Sequence, residues 1–259
     1  KYTEAMIRKW KGNPLVSVAV EPHAVYTCSP DLLIAANELA GRYDVPLIIH
    51  VAESASEIEE VRKKYGRRPF EHLDGGEIER MVRHKVRAIT NPESNMKLAS
   101  GICPVPQLLA QGIAVGLGTD GCASNNNLDL FEEMDTTAKL HKVSAMDPTV
   151  LDAWTVFQMA TRSGARALGM EHHIGSLEVG KKADVIVVDT HKPHLTPIYN
   201  PYSHLVYAAK GSDVRHSVIN GKLVMEDRRL LTLDLQEVLR KAHETSLKVL
   251  SWLSPPPVA

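Results

Sequence analysis

Four side chains carry the chemistry of this sequence: His23 in EPHAVYTCSP, His50 and Glu53 in IIHVAE, and Asp120 in GLGTDG. Each follows or closes a short apolar run that reads as a β-strand. Imidazole nitrogen and carboxylate oxygen are donors that suit a zinc ion, and a catalytic zinc keeps one position open for water. A glutamate three residues after a ligand histidine, as Glu53 follows His50, has the reach to move protons. Singly, each residue has a plainer reading. A lone histidine is usually a hydrogen-bonded structural residue, Asp120 can cap a turn, and Glu53 can belong to the first turn of a helix. Their shared place at strand ends turns the reading towards catalysis.

The elements that must hold them follow from pattern. LVSVAV (15–20), PLIIHVAE (46–53), VRAIT (86–90) and AVGLGTD (114–120) read as strands. Between them, Ser29-Pro30 opens a helix as cap and first residue, SASEIEEVRKKYG has acids early and bases late, and PVPQLLAQG is a short helix. LDLFEEMDTTAKLHKV is helical, and DPTVLDAWTVFQMATRSGARALG reads as a helix started by Asp147-Pro148. Alternating strands and helices mean a parallel sheet covered by helices, either doubly wound or a (β/α)₈ barrel. In both, chemistry collects at the carboxyl ends of the strands.

The texture changes near residue 174. IGSLEVGKKADVIVVD and VRHSVINGKLVMEDRRLLT are strand-rich, with turns at Gly180-Lys181 and a hairpin signal at Asn220-Gly221. The expected division is 1–173 for the main α/β unit, 174–232 for a small β portion, and 233–259 for an amphipathic helix and a proline-rich tail. The chain has 259 residues, 44% of them hydrophobic, with 30 basic and 31 acidic side chains and a net charge of -1. That balance argues against a nucleic acid or a membrane held by bulk charge. No apolar run approaches the ~20 residues of a membrane helix. Cys28, Cys103 and Cys122 are odd in number and far apart, which fits small buried side chains in a reducing cytoplasm.

PHAVYTCSP, HVAES, NPESNMKLASGICPVP and GLGTDGCASNNNLDLFEEM resemble the amidohydrolase superfamily. More narrowly they resemble its branch of 5-methylthioadenosine/S-adenosylhomocysteine deaminases and the related triazine chlorohydrolases. IGSLEVGKKADVIVVD resembles the family's return into its small β domain. The resemblance implies a (β/α)₈ TIM barrel with a β-sandwich built from both chain ends. It implies His50 and Asp120 as metal ligands, with Asp120 also taking a proton from water. It gives Glu53 the protonation of a substrate ring nitrogen and His23 a substrate contact, while Asn125, Asn126 and Asn127 read as loop hydrogen bonders. The implied cofactor is zinc, although His and carboxylate ligands also suit iron or manganese. The implied reaction is hydrolytic loss of ammonia from an adenine nucleoside, with a homo-oligomer as the expected assembly. A triazine hydrolase and a metal-free, non-catalytic remnant of the family are the competing expectations.

Two departures from the family stand in the sequence. There is no HxH pair, where the family draws two metal ligands from its first barrel strand; the adjacent His172-His173 lies late in the chain. EHLDGGEIER passes from His72 into a helix-like segment without the family's intervening strand, so a seam is expected near Asp74-Gly75. The chain begins at Lys1 rather than methionine, and a longer protein is the expected explanation of both gaps.

Overall fold

The computed structural model describes residues 1–51, 57, 59–60, 62–63 and 75–253. Helix α1 (Tyr2–Trp10) has no counterpart among the elements expected from the sequence. It is fastened by Glu4, which accepts hydrogen bonds from Tyr43 Oη at 2.6 Å and Arg8 Nη2 at 2.9 Å. Ile7 is buried in a small core with Val20, Ala36 and Ala40. Helix α2 (Pro30–Tyr43) starts as its sequence predicts, with Ser29 Oγ accepting the Leu32 N–H at 3.2 Å and Pro30 at the first position.

The segments expected as the first two strands run parallel to each other, but as two isolated bridges, Val20↔Leu47 and Ala24↔His50. Three slanted bonds join them: Val20 N–H to Pro46 O, Ile48 N–H to Val20 O and His50 N–H to His23 O, at 2.8–2.9 Å. Leu47 and Ile48 are 41% and 42% exposed, so these runs lack the covering on both faces that a buried parallel strand has.

Helix α3 (Gly75–Arg83) precedes strand β1 (Ala88–Thr90) and helix α4 (Pro92–Leu98); α5 (Val105–Ala110) then leads to β2 (Val115–Leu117). β1 and β2 pair in parallel, with Thr90 opposite Leu117, which brings their carboxyl ends to one edge. Gly116 permits close approach here: a Cβ would lie 2.8 Å from Ile89 Cδ1 and 3.0 Å from Gly164 Cα.

Helix α6 (Leu130–Ala145) is capped by Asp129, whose carboxylate accepts the Phe131 N–H at 2.9 Å. The helix expected from Asp147-Pro148 instead begins at Ala153, as α7 (Ala153–Ala160). Asp147 is used up in a local turn, accepting the N–H and hydroxyl of Thr149 at 2.8 and 2.7 Å, and Leu151 has φ 48°. Asp152 supplies the cap, accepting Thr155 N–H at 2.9 Å. Thr161 breaks the helix before α8 (Arg162–Ala167).

The C-terminal part holds an antiparallel sheet, β3 (Val185–Val188), β4 (Val214–Ile219), β5 (Lys222–Glu226) and β6 (Arg229–Leu230), in chain order. The β4–β5 hairpin turns at Asn220 and Gly221, both with positive φ, as Asn-Gly predicts. Helix α9 (Pro201–Tyr207) interrupts this run and packs on α6 and α7. The last helix, α10 (Leu235–Leu253), is exposed along its length. One large core joins Ile78, Leu108, Val115, Met134, Val156 and Met159 to Leu195, Val206 and Val214. Among the described residues no helix is long and apolar enough to cross a membrane.

Candidate functional site

Ser94 follows β1 and Asp120 follows β2, so the parallel pairing sets them side by side. The Ser94 hydroxyl donates to Asp120 Oδ2 at 2.8 Å, and the Ser124 hydroxyl donates to the same oxygen at 2.5 Å. Oδ1 accepts the Gly121 N–H at 2.7 Å. Asp120 has φ 59°, a left-handed conformation that aspartate tolerates better than most side chains. Burial pushes its carboxyl up. The Ser124 and Ser94 hydroxyls, the Gly121 N–H and the charge of His50 outweigh that and hold it below the usual aspartate range.

His50 and His23 sit at the ends of the other parallel pair. Their rings are 5.4 Å apart, centroid to centroid, at an interplanar angle of 59°. His23 Nδ1 lies 2.9 Å from Thr27 Oγ1, which orients that ring. His50 is half-buried, and its Nε2 lies 4.0 Å from Glu21 Oε1. His23 and His50 thus stand side by side, and the charge of His50 acts on the Asp120 carboxyl. Glu53 and His72 lie outside the described residues, as does the Asp74 side of the expected seam.

An imidazole and a carboxylate with a lowered pKa suit a divalent metal as two of its ligands; three protein ligands are usual at a catalytic zinc. Among the described residues no three His, Cys, Asp or Glu side chains form a metal-binding group.

Ser94 and Ser124 are the site residues that sequence reasoning passed over. Ser94 lies inside NPESNMKLASG, a segment used only as a likeness, and a serine in a helix's first turn reads as a cap rather than a partner of a distant carboxylate. The asparagine run makes loop bonds: Asn125 to Thr119 O at 2.8 Å, Asn127 to Glu93 at 3.2 Å, and Asn126 to Lys97. Gly118 serves close packing, since its missing Cβ makes way for the Asn91 side chain. Cys28 is buried, and burial pushes the half-buried Cys103 up to about 11, against a Thr90 hydrogen bond. Cys122, expected inside, is exposed, because the turn after Asp120 projects outward from β2.

Comparison with known proteins places this geometry in context. A profile of the amidohydrolase family matches residues 1–224. A 5-methylthioadenosine/S-adenosylhomocysteine deaminase of Syntrophobacter fumaroxidans is 57% identical over 94% of this chain and 60% of the relative. A 5'-deoxyadenosine deaminase of Methanosarcina acetivorans is 45% identical over 94% of this chain and 60% of the relative. The crystal structure of an adenosine deaminase from Xanthomonas campestris with bound zinc matches with a TM-score of 0.93 at 35% identity, over 96% of this chain and 61% of that one. An atrazine chlorohydrolase from Arthrobacter aurescens complexed with zinc matches at 24% identity with a TM-score of 0.85, over 94% and 58%, a likeness of fold. The chain thus spans about three fifths of the length of the curated relatives it matches.

Proposed function

The chain belongs to the amidohydrolase family and has a TIM-barrel-like α/β fold, and on that premise we propose that it serves zinc-dependent hydrolytic deamination of an adenine nucleoside. The observation that carries the reading is an Asp120 carboxylate held by Ser94, Ser124 and the Gly121 N–H at the end of one strand pair, with the His23–His50 pair at the end of the other. Relatives at 44–57% identity named for deamination of methylthioadenosine, S-adenosylhomocysteine or 5'-deoxyadenosine support the substrate class.

In this reading His50 and Asp120 hold the metal, together with ligands from outside the described residues. Zinc held there would supply hydroxide near neutral pH, since the metal lowers the pKa of bound water to about 7. Asp120 Oδ2 is occupied by two hydroxyl donors, whereas Oδ1 carries one backbone N–H and has capacity to take a proton from the attacking water. Glu53, three residues beyond His50, donates a proton to the ring nitrogen beside the reacting carbon. The carbon gains a C–O bond; Asp120 passes its proton to the exocyclic amine, the new hydroxyl returns a proton to Glu53, and the C–N bond breaks to release ammonia. His23, oriented through Thr27, contacts the substrate.

The same proposal makes residues 1–173 the barrel part, the antiparallel sheet within 174–232 part of a small β-sandwich, and 233–259 a terminal helix and tail. It places the protein in the cytoplasm, as a homo-oligomer with one zinc per subunit; iron or manganese would meet the same ligand chemistry. The test is ammonia release from 5-methylthioadenosine and S-adenosylhomocysteine and chloride release from atrazine, with zinc content measured on the same preparation. Release from a nucleoside with near-stoichiometric zinc is expected. Turnover of the triazine alone, or zinc-free protein without turnover, would sink the proposal.

A further inference from the structure

Behind Asp120 lies a carboxylate that no step above uses. Glu133, in the first turn of α6, is fully buried at 0% exposure. Its two oxygens grip two different segments. Oε1 accepts Asn125 Nδ2 at 2.9 Å, and Oε2 accepts the backbone N–H of Glu93 at 3.2 Å. The same Asn125 amide donates to Thr119 O at 2.8 Å.

The sequence neighbours of these partners are the residues that hold Asp120. Glu93 precedes Ser94, and Asn125 follows Ser124; these two serines are the donors to Asp120 Oδ2. Thr119, the third point of attachment, directly precedes Asp120. Glu133 thus stands one residue away from both hydroxyl donors and, through Asn125, one residue away from the aspartate itself. A buried carboxylate is costly unless its oxygens are satisfied, and an apolar residue of similar size would fill the space more cheaply. Glu93, the other carboxylate of this layer, is turned to Thr136 Oγ1 at 3.1 Å and Asn127 Nδ2 at 3.2 Å.

We propose that Glu133 is the positioning residue of this site, fixing from behind the two serines and the turn that orient Asp120. The proposal rests on the metal-dependent reading given above. Glu133 acts through Ser94, Ser124 and Asn125 and touches neither metal nor substrate. Outer partners of metal ligands typically change metal affinity by about 10–100-fold when removed.

The experiment compares wild-type protein with Glu133→Gln, Asn125→Ala and the double variant, each checked for folding by circular dichroism. Zinc affinity is read by competition with a chelating dye, and kcat and KM by ammonia release from 5-methylthioadenosine. Glu133→Gln keeps the volume but replaces one acceptor with a donor, so a 10–100-fold loss of zinc affinity is expected. kcat falls with it, while KM changes little. Asn125→Ala shifts both readouts the same way and stands in if Glu133→Gln does not fold. Because both act through one network, the double variant loses no more than the worse single. Zinc affinity and kcat within about twofold of wild type in both single variants, or losses that multiply in the double, would overturn the proposal. Wild-type protein that neither holds zinc nor releases ammonia would overturn the functional reading and this inference together. An active wild type with unaffected variants would overturn this inference alone.

Discussion

Asp120 combines a left-handed backbone, three hydrogen bonds to its carboxylate and a lowered pKa within a single residue. Asp120→Asn keeps the shape but removes the charge that, in the proposed mechanism, holds a metal and receives a proton. Loss of zinc and a fall in ammonia release of about 10²–10⁴-fold are expected, measured on protein whose melting temperature is unchanged. Glu133 gives a separate prediction in metal-free protein. Burial, chiefly, with the Glu93 and Asp120 carboxylates adding to it, raises its pKa to about 7 against the Glu93 N–H and Asn125 bonds. A carboxyl whose folded pKa exceeds its unfolded value binds more protons when folded, so its contribution to stability falls as pH rises between the two values. The melting temperature should therefore decline from about pH 5 to about pH 7 through this group, and Glu133→Gln should flatten the slope. An unchanged slope in the variant would refute the assignment. The strand-end positions of His23, His50 and Asp120 were legible in the sequence because strand-end position is a local signal. Ser94, Ser124 and Glu133 were not, because their role depends on pairing across distant segments. A glutamate in a helix's first turn also has a ready explanation in the helix dipole.

Helix caps and turns were the most readable elements, since their chemistry is complete within four residues. Ser29 and the Asn220-Gly221 turn act as their residue types predict, whereas Asp129, read as part of a helix from Leu128, proves to be its cap. Asp147 misled because Asp-Pro suits a helix start as well as a turn, and the nearby Asp152 competes for the cap. Asp152→Ala should cost about 1 kcal/mol and lower the melting temperature by a few degrees, without altering Asp120 chemistry. Gly116→Ala tests the contact between β2 and α8. The added methyl would meet Ile89 and the Gly164 backbone, and a loss of about 1–3 kcal/mol is expected in a denaturant titration. A neutral result would mean that the strand can move away from the helix. The first two strands were only partly legible. Their apolar runs indicate pairing and direction, but a run cannot show how much sheet surrounds it.

At the scale of the whole molecule, the alternation of helix and strand pointed to a parallel α/β fold, and the parallel pairing of β1 with β2 and the parallel bridges Val20↔Leu47 and Ala24↔His50 agree with it. Apolar strand positions nevertheless face outward: Leu47 at 41%, Ile48 at 42% and Ile89 at 46% exposure. Contiguous exposed apolar surface binds hydrophobic dyes. The isolated chain should brighten 8-anilinonaphthalene-1-sulfonate, and Ile48→Lys should reduce that signal without lowering the melting temperature. Equal dye binding by the variant would place the apolar surface elsewhere, for example on α10.

The wide reach of the core also sets a timetable for synthesis. Ile78 and Leu108 pack in one cluster with Val206 and Val214, so the N-terminal half of that cluster leaves the ribosome long before its partners exist. At about 5–20 residues per second, the wait is on the order of ten seconds. During that interval β1 and β2 are made, and they cannot yet be sealed by α9 or the segment around Leu195. The apolar side chains of the cluster's earlier half therefore stay uncovered by their later partners until translation has passed Val214.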